Sequence, residues 1–389
     1  MKLIDRQIEE ILVVLRKQYP VVTITGPRQS GKTTLVKKIF PDKPYFNLEI
    51  PDLREFARSD PRGFLNRMPE GAILHEIQRV PVLLSYLQSI VDQDPTPGKF
   101  ILTGSNQFLM MQDITQTLAG RTVLLKLLPF SIGEIKNLIQ NLSTDELMLK
   151  GFYPGIYKNN LDPTIAYRSY YETYIEKDLR QLIQIKDLFL FQKFIRLCAG
   201  RIGQIFNASQ LSNEVGVSVP TIKSWMSILE ASYVATLLPP YYENIRKRLI
   251  KSPKLYFYDV GLAAYLLGIE NHQQLFRDPM RGALFENMVV MDVIKTRFNL
   301  GRDTNLFFYR DSHQNEVDIV FKEGNNFRIA EVKSAQTFTP FFKKGILSFR
   351  KIFQDRILRE FIVYDGEFES ELDGIFVVNY RNFAEQFLS

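Results

Sequence analysis

The sequence predicts an α/β protein in which a parallel sheet opens the chain, a helical section follows, and a second, smaller α/β section closes it. Three observations carry that prediction. Short β-branched or aromatic runs alternate with helical patterns in the N-terminal part, as parallel strands joined by crossover helices require. A glycine-rich loop sits between the first such run and the next helical stretch. Late in the chain, two alternating strands carry acids and a lysine at every second position.

With 389 residues the chain exceeds the ~100–150 residues of one domain, so two or three domains are expected. Hydrophobic residues at 45% and charged residues at 24% exclude a collagen-like or wholly disordered chain. Lys and Arg total 49 against 43 Asp and Glu, an excess of +6 that favours polyanionic partners only where it is clustered. The single Cys198 cannot close an intrachain disulfide or build a thiolate zinc site, so a cytoplasmic setting is expected. No apolar run approaches the ~20 residues of a membrane span, and no membrane partner is expected. Asp5, Glu9 and Glu10 fall where a secretion signal needs its apolar stretch.

The elements follow in order. An N-terminal helix places Ile4, Ile8, Ile11, Leu12 and Leu15 on one stripe. Strands are expected at 21–25, 45–48, 72–74, 100–103 and 123–127, and the turn-dense stretch 151–155 marks a boundary. A helical region covers 163–238. A long helix begins near Arg281, then strands at 306–309, 317–322 and 327–333, a helix, and a strand at 361–364. There is no internal repeat and no low-complexity tract.

Gly26, Pro27, Arg28, Gln29, Ser30, Gly31, Lys32 and Thr33 spell G-x-x-x-x-G-K-[ST] directly after the first strand and before a helix. In that setting the glycines let backbone amides converge on phosphate oxygens, and the helix presents its positive end to the same charge. Lys32 reaches the β- and γ-phosphates, Thr33 places its hydroxyl on Mg²⁺, and Thr34 extends the loop's grip. ATP and Mg²⁺ are the expected cofactors. At the end of the third strand stand His75 and Glu76. A neutral imidazole supports metal-bound water less well than a carboxylate, so His75 weakens turnover more than binding, while Glu76 activates the attacking water. The plainer reading of His75 is a strand-end histidine satisfied by a backbone group. Asn106, or Ser105, closes the next strand as a γ-phosphate sensor or as ordinary turn chemistry. Arg121 is either an arginine finger, which acting in trans needs a homo-oligomer, or a solvated surface arginine.

These residues, with Glu76-Ile-Gln-Arg-Val-Pro81, 100–106, Leu118-Ala-Gly-Arg121, Pro129-Phe-Ser131 and the stretch from Asn244 to Asp259-Val-Gly-Leu262, resemble the bacterial and archaeal AAA-type ATPases. In that group an N-terminal ATPase module is joined to a C-terminal domain of uncharacterised function. The resemblance covers nearly the whole chain and implies an AAA-type P-loop fold and ATP hydrolysis. Members carry Asp-Glu where this chain has His75-Glu76.

The segment 208–229 has the layout of a helix–turn–helix, with Gly216 at the turn and Leu211, Val215, Val217, Ile222 and Leu229 as its core. A strand at 233–238 and the basic run 246–251 suggest a wing. Thr221, Lys223 and Ser224 then face a DNA groove while the wing binds phosphates; equally, a winged-helix spacer touches no DNA at all. Trp225 reads as core.

Near the C-terminus, alternation puts Glu316 with Asp318 on one strand face and Glu331 with Lys333 on another, with Glu286 on the preceding helix. The arrangement resembles the PD-(D/E)xK nuclease-like fold, although Val317 stands where the motif often has proline. The resemblance implies that Asp318 and Glu331 hold Mg²⁺ or Mn²⁺, that Lys333 stabilises or deprotonates the attacking water, and that Glu286 completes the cluster. The bland alternative is two amphipathic strands with charges in solvent. His272 and His313 have no metal or triad spacing.

The expected division is therefore an AAA-type ATPase domain at 1–150, a helical linker at 151–187, a winged-helix domain at 188–265 and a nuclease-like α/β domain at 266–389. The expected activity is ATP hydrolysis coupled to the C-terminal region, with DNA as a candidate partner. The rivals are a metal-dependent nuclease gated by nucleotide and a non-hydrolysing nucleotide switch.

Overall fold

The central strands of a parallel sheet are covered on both faces, and the N-terminal sheet is built that way. The computed structural model describes residues 3–105, 117–176, 187–242 and 252–389. β1 (Val21–Thr25) lies between β4 (Phe100–Gly104) and β5 (Thr122–Lys126), with β3 (Ala72–His75) beyond β4 and β2 (Tyr45–Asn47) outermost. Every neighbouring pair is parallel. Val21, Leu74, Phe100 and Leu102 enter one apolar cluster with Leu83 and Leu87 of the helix Val82–Gln93. Val22, Ile24, Ile73 and Ile101 enter the other, which α1 (Ile8–Leu15) covers with Ile8 and Leu12. The register sets Thr25 beside Gly104 and His75 beside Thr103, so the residues after β1, β3 and β4 emerge along one edge. That edge positions the site, in accord with ligands lying at strand carboxyl ends in open α/β sheets.

The chain divides into two compact units. One holds the chain up to Phe130 with Ala231–Tyr233 and Arg297–Arg302, and the other holds Ser131–Glu230, Val234–Thr296 and Asp303–Ser389. The turn-dense stretch 151–155 lies inside the second unit.

Within the second unit, the helix Ala208–Val215 is capped by the Asn207 side chain, which accepts from the Gln210 amide at 3.0 Å. It ends at Gly216, whose φ of +90° is the left-handed geometry that glycine supplies freely. The helix Val219–Ala231 follows, burying Ile222, Trp225, Met226 and Leu229. Leu211 and Val215 are buried as expected, whereas Val217 is only half-buried. β6 (Ala235–Leu238) then pairs antiparallel with β7 (Lys254–Phe257), Leu238 opposite Lys254.

The unit's larger sheet is mixed and has six strands in the order β12-β13-β11-β10-β9-β8. β8 (Leu306–Arg310), β9 (Glu316–Glu323) and β10 (Asn326–Lys333) form an antiparallel meander. β11 (Ile357–Tyr364) and β13 (Ile375–Asn379) add parallel to it, and β12 (Ser370–Leu372) closes the edge antiparallel to β13. The helix Lys344–Phe353 makes the crossover from β10 to β11, sending Ile346 and Phe349 into a core with Val317, Ile329 and Ile362. β11 begins four residues earlier than the sequence suggests, because the charged Arg359 and Glu360 interrupt its apolar run. No helix among the described residues is long and apolar enough to cross a membrane.

Candidate functional site

At Gly26 φ is +154°, and a Cβ there would come within 2.0 Å of the Leu127 carbonyl oxygen, so backbone alone fits between loop and strand. Gly31 takes φ +96° and caps the helix Lys32–Ile39. Lys32 is 5% exposed. Its Nζ donates to the carbonyl oxygens of Gly26 and Pro27, both at 2.8 Å. Burial brings the amine down to about 8, with the charge of Glu76 pulling it up and that of Arg28 pushing it down. Ser30 Oγ, fully buried in the same loop, has no hydrogen-bond partner among the described residues. From behind, Arg6 donates to Ser30 O at 2.9 Å and to Leu128 O at 2.8 Å, with its guanidinium over the Phe130 ring.

His75 is held at both ring nitrogens. Nδ1 shares a hydrogen bond of 2.6 Å with Thr103 Oγ1, and Nε2 one of 3.4 Å with Thr33 Oγ1. The Tyr45 ring stacks on it at 5.8 Å. Burial lowers its pKa, against the pull of Glu76, so the ring is neutral at pH 7. Its partners are thus side-chain hydroxyls rather than the backbone group of the plainer reading. Glu76 stands at φ +58° and is 5% exposed. Its Oε2 accepts from Ser105 Oγ at 2.9 Å and from Gln78 Nε2 at 2.5 Å. Burial works against its charge, yet Lys32, His75 and these donors hold the carboxyl below its ordinary range.

Arg121 is not part of this chain's own cradle. It precedes β5, whose Thr122 pairs with Val21 at the start of β1, so it lies at the opposite end of the sheet from the loop. Its Nε and Nη2 grip the exposed Asp92 at 2.5 and 3.0 Å. Asn106 lies outside the described residues, as does the basic run 246–251. Lys223 and Ser224 are exposed, while Thr221 is half-buried and bonded to Ser218 at 2.8 Å.

A buried cation resting on neutral carbonyls, in a loop whose first glycine has no room for a Cβ, fits a polyphosphate. Thr33 offers the hard hydroxyl oxygen that Mg²⁺ favours; the two ring nitrogens of His75 are each already engaged by one hydroxyl.

The C-terminal acids converge, but on a lysine that the sequence reading missed. Lys254 of β7 is 1% exposed. Its Nζ lies 3.0 Å from Glu286 Oε1 and 3.4 Å from Asp318 Oδ1, and it also pairs with Glu316. Tyr256 donates to Glu286 Oε1 at 2.6 Å. Asp318 Oδ2 accepts from the Val332 amide at 2.9 Å, and Lys333 donates to Glu331 Oε1 at 2.6 Å. Burial opposes the Lys254 charge, yet Glu286, Tyr256, Asp318 and Glu316 raise its pKa well above the ordinary value. Burial and the neighbouring Asp318 push Glu331 up to about 8, and Glu286 is raised for the same reasons. The charges therefore do not point into solvent. Nor do Asp318 and Glu331 form a ready metal cage: no group of three or more His, Cys, Asp or Glu side chains among the described residues is arranged to hold a metal ion. The one available signal for Lys254 was a lysine opening the apolar strand Lys254-Leu-Tyr-Phe257, all four residues of which are buried.

A phosphate loop between the first strand and the next helix of a five-stranded parallel sheet is typical of the P-loop ATPase fold. Residues 18–136 match the family described as an AAA domain, and 141–273 and 281–383 match two domains of unknown function, DUF8612 and DUF4143. An uncharacterized protein of Mycobacterium tuberculosis is 29% identical over 351 residues, 90% of this chain and 77% of that protein. One of Mycobacterium bovis is similar to the same extent. A Walker-type ATPase of Pyrococcus abyssi of known structure is 18% identical, with a TM-score of 0.45 over 68% of this chain and 96% of that one.

Proposed function

We propose that this chain binds ATP and hydrolyses it slowly, and that nucleotide occupancy governs the second unit. The observation that supports this most is Lys32, a buried cation whose bonded partners are the neutral carbonyls of Gly26 and Pro27. In this reading the amides of Gly26, Pro27 excepted, through Thr34 cradle the phosphates with Lys32, and Thr33 holds Mg²⁺ through its hydroxyl. The bound metal neutralises charge on the phosphate oxygens. Glu76, kept ionised, takes the proton of the attacking water, and Ser105 fixes its orientation. Asn106 senses the γ-phosphate. Arg121 serves a neighbouring copy in a homo-oligomer.

His75 favours a second reading, the non-hydrolysing switch. A neutral ring pinned between Thr33 and Thr103 gives a metal-bound water one weak acceptor at most where a carboxylate would give charge. The second unit acts in either reading as a winged-helix DNA platform through Lys223, Ser224 and the basic run 246–251, in a cytoplasmic protein.

Calorimetric titration of the full chain with MgATP tests the core of this, with Lys32→Ala as control. Binding lost in the variant is expected; no heat and no thermal shift in the wild type overturns the reading. Phosphate release measured with and without DNA, and in His75→Asp, separates the two versions. A gain of at least tenfold in His75→Asp places the handicap at His75, and no gain refutes that account of the residue.

A further inference from the structure

The nuclease-like resemblance implies a divalent metal among the C-terminal acids, and the geometry disagrees with it. A divalent cation needs carboxylate oxygens at about 2.0–2.6 Å on several sides. Here the space between Glu286, Glu316 and Asp318 is taken by one ammonium group: Lys254 Nζ is 3.0 Å from Glu286 Oε1, 3.4 Å from Asp318 Oδ1, and paired with Glu316. An ammonium has three donors, and three carboxylates face it. The acids also have other partners within the second unit. Arg310 Nε lies 3.3 Å from the other oxygen of Glu316, the Val332 amide serves Asp318, Tyr256 serves Glu286, and Lys333 serves Glu331.

We propose that Lys254 is the resident cation of this cluster, so that the folded chain keeps Glu286, Glu316 and Asp318 as a metal-free ion-paired centre. The centre has a structural consequence. Lys254 belongs to β7 of the two-stranded sheet, Glu316 and Asp318 to β9 of the six-stranded sheet, and Glu286 to the helix Arg281–Asn299. One lysine thereby fastens the segment after the helix–turn–helix to the C-terminal sheet through charges, in addition to the apolar contacts of Tyr241 with Phe307 and Phe327. Glu331 Oε2 is the one buried oxygen of the four acids without a hydrogen-bond partner among the described residues. It does not make a cage, because its neighbour Asp318 is already committed at both oxygens. The same acids and lysine that spell a cleavage motif in the sequence thus serve as a joint. This inference does not depend on the phosphate loop, and it stands or falls separately from the nucleotide reading.

The test titrates Mn²⁺ alone, without nucleotide, into the full chain and follows free Mn²⁺ by electron paramagnetic resonance. Wild type and Asp318→Asn are expected to give the same isotherm, with no equivalent that depends on Asp318. Lys254→Met, which empties the centre while keeping side-chain bulk, is expected to bind Mn²⁺ at least tenfold more tightly, and adding Asp318→Asn is expected to abolish the gain. One Mn²⁺ equivalent in the wild type that disappears in Asp318→Asn overturns the proposal, and so does a folded Lys254→Met that gains nothing. The first comparison needs no lysine variant, so the proposal remains open to refutation even where Lys254→Met fails to fold.

Discussion

Lys32 and Lys254 are both almost wholly buried, yet their surroundings drive them in opposite directions. Lys32 rests on two carbonyl oxygens, and burial lowers its pKa to about 8. Lys254 faces three carboxylates, which raise its pKa well above the ordinary value despite burial. A buried ammonium held by neutral dipoles still has charge to offer an incoming anion. One held by carboxylates has none to spare and instead fixes the elements that carry them. The difference separates the proposed phosphate site from the proposed joint even though both motifs look catalytic when written out.

The sharpest way to break this comparison is to replace each lysine by methionine and measure unfolding in urea. Lys254→Met strands three acids and is expected to lose about 3–5 kcal/mol, as removal of one partner from a buried ion pair does. Lys32→Met is expected to change the stability of the nucleotide-free chain by less than about 1 kcal/mol while weakening MgATP binding by about 2–5 kcal/mol. Equal losses of stability in the two variants would erase the distinction.

Arg6→Ala comes next. It removes two charged hydrogen bonds to the Ser30 and Leu128 carbonyls and is expected to cost about 2–3 kcal/mol in the same melts, with weaker MgATP binding because Ser30 lies in the loop.

A smaller effect follows from the protonation of Lys32. Near pH 8.5 the amine is partly neutral, and the charge of a bound triphosphate raises its pKa, so binding takes up a proton. Calorimetry in buffers of different ionisation heat should report net uptake at pH 8.5 and little from Lys32 at pH 6.5, where the amine is already charged.

Asp292 supplies the smallest. Burial pushes its carboxyl from 3.8 up to about 7, while it accepts from the Ile132 amide at 2.6 Å. The native state therefore keeps a proton that the unfolded chain releases near pH 4. Stability falls as pH rises from about 4 to about 7 and levels off above. Asp292→Asn should flatten that slope in melts at pH 5 and pH 8, since an amide oxygen still accepts from Ile132.

The local chain was informative wherever neighbours in sequence are also neighbours in space. Gly26 to Thr33 could be read because a strand, a turn and a helix N-terminus are consecutive, and the strands at 21–25 and 100–103 because short β-branched or aromatic runs mark them. The pairing of Glu331 with Lys333 was likewise legible from alternation along β10. β12, β13 and the helix Tyr380–Leu388 escaped the reading. The start of β11 escaped it too, because the charged Arg359 and Glu360 interrupt its pattern.

By itself the sequence determined the parallel sheet, the phosphate loop and the presence of acids in the last section, since each depends on spacing over a few residues. Tertiary structure decided what those groups face. It put Thr103 and Thr33 against the two nitrogens of His75, turned Arg121 toward Asp92 at the far end of the sheet, and brought Lys254 into the acids of β9. The physical reason is that a charge is defined by its nearest partner and its distance from water, and both are set by chain segments far apart in sequence.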